Sequence, residues 1–331
     1  MTPISIGRRP SDLAYDRVAG VVPEVEWAGF ADDIDAIEAL KAEKNAVVLA
    51  HNYQTPEIFH GVADIVGDSL ALARKAQEVE ADVILLAGVH FMAETAKLLN
   101  PEATVIVPDL QAGCSLAESI TAQDVRDLRA AHPGLPVVTY VNTSAAVKAE
   151  SDYCCTSGNA VAVLRHVTKE WGVERAIMIP DEYLAKNISA ISGIDVVTHP
   201  GRCEVHERFT PRDIEHIRDG HPGVVVITHP ECSPEVVAAA DFSGSTAQMQ
   251  DYVESRQPAK LALITECSMS DNLAAMNPGV DMIRPCNLCP HMKRNTLAKI
   301  RRSLETLTHE VTVEPEVAER ARLAVDRMLA L

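Results

Sequence analysis

The sequence predicts an α/β protein: three similar α/β/α sandwich units in a pseudo-threefold arrangement, each built on a short parallel sheet. Three observations carry this. Landmarks recur at a fixed step, for the runs VVLAHNY, VVTYVN and VVVITHPE end at Tyr53, Asn142 and Glu231, 89 residues apart (142−53 and 231−142). His51, Tyr140 and His229 keep the same step, as do Gly67, Thr156 and Ser245 in the polar turns GDS, TSG and GST. Apolar runs of strand length alternate with helical patterns, which is the signature of βαβ units. Lastly, one cysteine follows the third strand of each unit: Cys114, Cys203 and Cys289, at intervals of 89 and 86 (203−114 and 289−203). A fixed period with matching landmarks marks an internal repeat.

Along the chain, residues 1–32 read as an irregular arm containing Pro10 and Pro23. DIDAIEALKAEK then has helical spacing and good helix formers. The first unit, 33–121, continues as strand NAVVLAHN, helix SLALARKAQEVE, strand DVILLAG, helix HFMAETAKLLN, strand TVIVPD and the loop LQAGCS. The second, 122–212, repeats this with PVVTYVN, GNAVAVLRHVTKEWG, RAIMIPD, EYLAKNISAIS, DVVTHPG and GRCEVH. The third, 213–300, runs GVVVITHPE, STAQMQDYVES, AKLALITE, SDNLAAMN, DMIRPCN and LCPHMK. Residues 301–331 read as helices interrupted by Pro315 that pack back on the repeats. In parallel sheets reactive loops lie at the carboxyl ends of strands. Periodicity therefore sets the polar strand ends and the three cysteines on one edge of three sheets, facing one axis.

Composition narrows the class. Of 331 residues, 47% are apolar and 23% charged, as in ordinary globular proteins. The net charge of −17 argues against a nucleic-acid surface and for a freely soluble chain. No run approaches the roughly 18–20 apolar residues of a membrane helix, and the N-terminus lacks a secretory pattern. Eight cysteines without an export signal point to the reducing cytoplasm, where thiols serve metals or catalysis. Neither GxGxxG nor a P-loop occurs.

Three thiolates converging on one axis form a metal site. Structural zinc favours four ligands in close pairs, whereas one cysteine per unit suits a [4Fe–4S] cluster with one iron left open. Such an iron acts as a Lewis acid. Cys154, Cys155, Cys232 and Cys267 read as packing residues, and Cys286 as a neighbour of Cys289 in a CxxC. Ser69, Ser157 and Thr246 sit where helices begin. Singly they are ordinary caps, but three helix N-termini aimed at one axis are anion sites for carboxylates and phosphate. His51, His206 and His229 would each pass for a core histidine alone; beside thiolates they read as substrate ligands or proton carriers. Glu231 at its strand end reads as a buried base.

Together AHNYQTPEI, GDSL, GCS, YVNTSA, CCTSGNA, GRCEVHE, HPEC, GSTAQM and CPHMK resemble the quinolinate synthase (NadA-type) family of de novo NAD biosynthesis, over about residues 45–300. The resemblance implies a three-domain α/β enzyme that condenses iminoaspartate (iminosuccinate) with dihydroxyacetone phosphate to give quinolinate, phosphate and water. It implies one [4Fe–4S] cluster per chain on Cys114, Cys203 and Cys289. Iminoaspartate contacts fall on His51, Ser69, Tyr140, Asn142, Ser157, His229, Glu231 and Thr246, with Tyr53 and Glu231 as acid–base residues and His206 touching substrate. An aspartate oxidase or dehydrogenase is the kind of partner that would supply the imine. Some members carry CxxCxxC, where Ile283 replaces the first cysteine here, so a disulfide switch resting on that triple is not expected. The competing classes are another iron–sulfur hydroxy-acid dehydratase, which would not require a phosphorylated substrate, and an iron–sulfur sensor, which would need a basic DNA-binding helix.

Overall fold

The computed structural model describes residues 8–331. Its strands gather into three sheets of four. The first holds β1 (Ala46–His51), β2 (Ile65–Gly67), β3 (Val83–Ala87) and β4 (Thr104–Ile106). The second holds β5 (Val137–Tyr140), β6 (Tyr153–Cys155), β7 (Arg175–Ile179) and β8 (Asp195–Thr198), and the third β9 (Val225–Thr228), β10 (Phe242–Ser243), β11 (Lys260–Ile264) and β12 (Asp281–Ile283). The orders are β2-β1-β3-β4, β6-β5-β7-β8 and β10-β9-β11-β12, parallel throughout.

Helices cover both faces, so strand side chains alternate between two buried layers. Leu49, Ile84 and Leu86 pack into one layer of the first unit, while Val48, Ala50, Val83, Leu85 and Ala87 pack into the other. The third sheet divides likewise, with Val226, Ala262 and Ile264 opposite Ile227, Leu261 and Leu263.

The edge strands β2, β6 and β10 are additions to the three strands per unit expected from sequence. Each follows an aspartate whose carboxylate accepts the backbone N–H of a central strand: Asp64 from Val48 at 2.8 Å, Asp152 from Val137 at 2.7 Å and Asp241 from Val226 at 2.8 Å. This pin sets the register of a strand too short to be held by its own ladder.

Three local expectations need correction. The N-terminal arm is helical beyond residue 9, with Pro10 as the first residue of Pro10–Val18 and Pro23 preceding Glu24–Trp27. Proline suits a helix start because its missing N–H is unpaired there anyway; residues 1–7 lie outside the described part. Arg9 pairs with Asp32 and Asp35, which docks the arm on helix Ala31–Lys44. The second unit's helix begins at Ala160, with Ser157 in the preceding turn. Cys267 does not merely pack: it is joined to Cys286 in a disulfide across 19 residues.

At the C-terminus, Leu297–Thr306 packs on Ala31–Lys44, and Pro315–Leu329 packs on Ala145–Ala149, β6 and His90–Leu99. No helix among the described residues is long and apolar enough to cross a membrane.

Candidate active site and metal centre

The carboxyl ends of the three sheets border a partly open cavity of about 70 Å³. His51, Tyr53, Ser69, Cys114, Tyr140, Asn142, Ser157, Cys203, His206, His229, Glu231, Thr246 and Cys289 all border it. No lysine or arginine lines it among the described residues, so any anion bound there would be held by dipoles. Ser69 and Thr246 are the first residues of helices Ser69–Glu78 and Thr246–Arg256, and Ser157 lies in the turn before Ala160–Trp171. A helix start of this kind favours an anion, because its first N–H groups have no partner within the helix.

Two histidines are fixed in the same tautomer by the backbone. Tyr53 N donates to His51 Nδ1 at 3.1 Å, and Glu231 N donates to His229 Nδ1 at 3.3 Å. With Nδ1 accepting, each neutral ring carries its hydrogen on Nε2, and that of His229 lies 3.3 Å from Ser157 Oγ. Burial lowers His51 to about 4 and His229 to about 3, so both are neutral donors at neutral pH.

Glu231, His206 and Tyr53 form a hydrogen-bonded chain. Tyr140 Oη donates to Glu231 Oε1 at 2.6 Å, and His206 Nδ1 lies 2.6 Å from Glu231 Oε2. On its other side, His206 Nε2 lies 2.9 Å from Thr265 Oγ1, which is 2.6 Å from Tyr53 Oη. Burial alone would raise the Glu231 pKa, but His229, His206 and Tyr140 overcome it and hold the carboxyl below the usual range. Burial, reinforced by the charge of Glu231, pushes Tyr53 and Tyr140 well above the ordinary phenol value. The result is a carboxylate linked through imidazole and hydroxyl to a protonated phenol, a path along which a proton can move. Asn142 Oδ1 is buried without a partner on the same cavity, an acceptor awaiting a donor.

The cysteines share one local design. Backbone N–H groups two and three residues on point at each sulfur: Leu116 and Ala117 at Cys114, Val205 and His206 at Cys203, His291 and Met292 at Cys289. Burial nonetheless pushes Cys114 up to about 12, Cys289 to about 11 and Cys203 well above its ordinary value. The three cysteines are half-buried, and sulfurs already supplied with N–H donors lack only a positive centre to become thiolates. That donor set fits a metal cluster.

Among the described residues, Cys203, His206 and Glu231 also bring one donor atom each within 4.8 Å of one another. However, the 2.6 Å between His206 and Glu231 is a hydrogen bond. Two ligands of one tetrahedral ion with bonds near 2.0–2.1 Å would stand about 3.3 Å apart. His206 and Glu231 are therefore better described as a proton-handling pair beside the thiols, with His206 Nδ1 also 3.2 Å from Cys203 Sγ.

Sequence reasoning missed Thr265, which joins Tyr53 to His206, and His291, whose Nε2 lies 2.9 Å from Glu204 on the cavity rim. Thr265 directly follows β11, so its strand-end place was the available signal. For His291, loop position gave no direction.

The chain matches the family model for quinolinate synthetase A protein (NadA) over residues 35–330. It is 67% identical over 317 residues to quinolinate synthase 2 of Mesorhizobium japonicum, covering 96% of this chain and 97% of that protein. It is also 67% identical to the quinolinate synthase of Agrobacterium fabrum, covering 96% and 91%. The Xylella fastidiosa (strain Temecula1) quinolinate synthase is 65% identical over 302 residues, covering 91% and 88%. With nearly its whole length matched, the chain belongs to the NadA family of quinolinate synthases.

Proposed function

We propose that the chain condenses iminoaspartate with dihydroxyacetone phosphate to form quinolinate, releasing phosphate and two molecules of water. The observation that carries this reading is a single cavity bordered by three thiols, two helix starts and the turn at Ser157, with Glu231, His206 and Tyr53 linked beside it through Thr265. Ring formation needs one carbon–carbon and one carbon–nitrogen bond. Electrons balance within the substrates, so no external oxidant enters.

Ser69 and Thr246 at helix starts, and Ser157 in its turn, would hold carboxylates and phosphate, with His51 and His229 donating from Nε2. Asn142 Oδ1 would accept the imine or hydroxyl hydrogen. Glu231, kept ionised, would take a proton from carbon or nitrogen, and Tyr53, kept protonated, would supply one to a departing hydroxyl. His206 and Thr265 would return protons between them. A [4Fe–4S] cluster on Cys114, Cys203 and Cys289 would supply a Lewis-acidic iron when bound.

The same reading sets the protein in a reducing cytoplasm, where such thiols persist, beside an oxidase or dehydrogenase of aspartate, since the imine hydrolyses readily in water. Anaerobic turnover of freshly generated iminoaspartate with dihydroxyacetone phosphate tests it. Quinolinate should accumulate in proportion to phosphate released. Protein with full iron and sulfide that yields none, but dehydrates an unphosphorylated hydroxy acid, would belong to the other reaction class.

A further inference from the structure

Tyr53, Asn142 and Glu231 occupy equivalent strand ends, and each is bracketed in the same way. One buried nitrogen binds the carbonyl before it and the carbonyl after it. Asn187 Nδ2 donates to Pro230 O and Cys232 O at 2.9 Å each, on either side of Glu231. Asn272 Nδ2 donates to Asn52 O at 3.2 Å and Gln54 O at 2.8 Å, on either side of Tyr53. Lys148 Nζ donates to Val141 O at 2.8 Å and to Thr143 O, on either side of Asn142. Asn187, Asn272 and Lys148 are all buried.

The brackets run around the ring of units. Asn187, on helix Glu182–Ser192 of the second unit, holds the third unit's strand end, and Asn272, on helix Cys267–Met276 of the third, holds the first's. Both asparagines stand six residues past an acidic N-cap, Asp181 or Glu266 (187−181 and 272−266). The matching place in the first unit, six past the N-cap Val89, is Thr95, whose hydroxyl bonds within its own helix to Phe91 O. At that seam the second unit brackets itself with Lys148, while Glu94 of the first accepts Ala145 N at 3.0 Å. The arrangement is preserved where the residue type is not.

The carbonyl before a residue lies in the peptide plane that enters it, and the carbonyl after it lies one peptide plane further on, so the two bonds pin the turn on either side of that residue. Its Cα is held between two fixed points, which restricts where its side chain can be aimed. None of the three bracketing residues lines the cavity.

We infer that Asn187, Asn272 and Lys148 are positioning residues that aim Glu231, Tyr53 and Asn142 at the substrate; their effect on turnover rests on the proposed reaction. The variants Asn187→Ala, Asn272→Ala and Lys148→Met test this on anaerobically purified full-length protein. Asn277→Ala is the control, a buried asparagine whose Nδ2 bonds Leu273 O and which brackets no strand end.

Amide hydrogen exchange is read without substrate. Asn187→Ala should raise exchange at residues 229–232 by about 10-fold or more and leave 51–54 unchanged, and Asn272→Ala should do the reverse. In quinolinate formation, each should lower kcat by roughly 10–100-fold with KM held within about threefold, the mark of lost alignment rather than lost affinity. Asn277→Ala should leave both segments and kcat as in wild type. Exchange that rises equally at both strand ends, or at neither, overturns the inference, as does wild-type kcat in Asn187→Ala. If wild-type protein makes no quinolinate, the proposed reaction fails, while the exchange pattern still decides the brackets.

Discussion

Tyr140 and Glu231 meet across the boundary between the second and third sheets, with the phenol donating to the carboxylate at 2.6 Å. One oxygen of Glu231 is thereby committed to a neutral donor and the other to His206. A carboxylate so placed is oriented and ionised before any ligand arrives, which is the state a general base requires.

Glu231→Gln and Tyr53→Phe should therefore reduce quinolinate formation by roughly 10²–10⁴-fold, the usual scale of acid–base catalysis, while iron content stays the same. Steady-state rates alongside iron and sulfide analysis provide the check. Near-wild-type rates in both variants would reduce these groups to packing.

Cluster content separates the cysteines. Protein purified without oxygen should hold about four iron and four sulfide per chain. Ser at position 114, 203 or 289 should abolish this in each case, whereas Cys232→Ser should retain it, since Cys232 is buried with its sulfur facing Ile264 O. Full iron in Cys203→Ser would dismiss the three-thiolate centre.

The helix starts predict a binding defect of a particular kind. Thr246→Ala removes a hydroxyl that accepts from Asn52 Nδ2 at 2.9 Å. It should raise KM and weaken a dicarboxylate inhibitor by about 5- to 50-fold, the size of one or two lost hydrogen bonds. Iron content should not change. Calorimetric affinity for pyridine-2,3-dicarboxylate is the measurement, and undiminished affinity would remove Thr246 from the anion site.

Acid should destabilise the protein through buried neutral histidines. Burial lowers both His51 and His60 to about 4, opposed by Glu231 for His51 and helped by Arg17 for His60. Unfolded histidine titrates near 6.5. Between about pH 6.5 and pH 4 the unfolded chain thus binds protons that the folded chain refuses. Stability is level above that window and falls as pH drops through it, by up to about 1.4 kcal/mol per pH unit for each histidine. Urea midpoints for wild type and His60→Phe at pH 7 and pH 5 should converge on acidification. Equal losses in both would mean that His60 plays no part.

Long apolar strands such as Val83–Ala87 were legible because a buried parallel strand needs nothing but apolar residues. The 89-residue step brought His51, Tyr53, Asn142 and Glu231 to one edge without any coordinates. The edge strands were not legible, because three or two residues behind an aspartate carry no periodicity and read as a turn. Asn187 and Asn272 escaped for another reason: a polar residue on a helix ordinarily faces water, and only the packing of neighbouring units shows these two turned inward. The Cys267–Cys286 link was hidden by its 19-residue separation, with Cys289 offering a nearer partner on paper.

The bracket from Asn272 to the strand end around Tyr53 spans 220 residues to Asn52 and 218 to Gln54. Closing a ring of three over that distance carries a loop entropy that must be met before its contacts repay it, so this closure is slow relative to folding within each unit. Any intermediate with two units docked and the third adrift has its strands formed but its cavity open. Until the ring closes, Cys114, Cys203 and Cys289 belong to three separate units and share no common cavity.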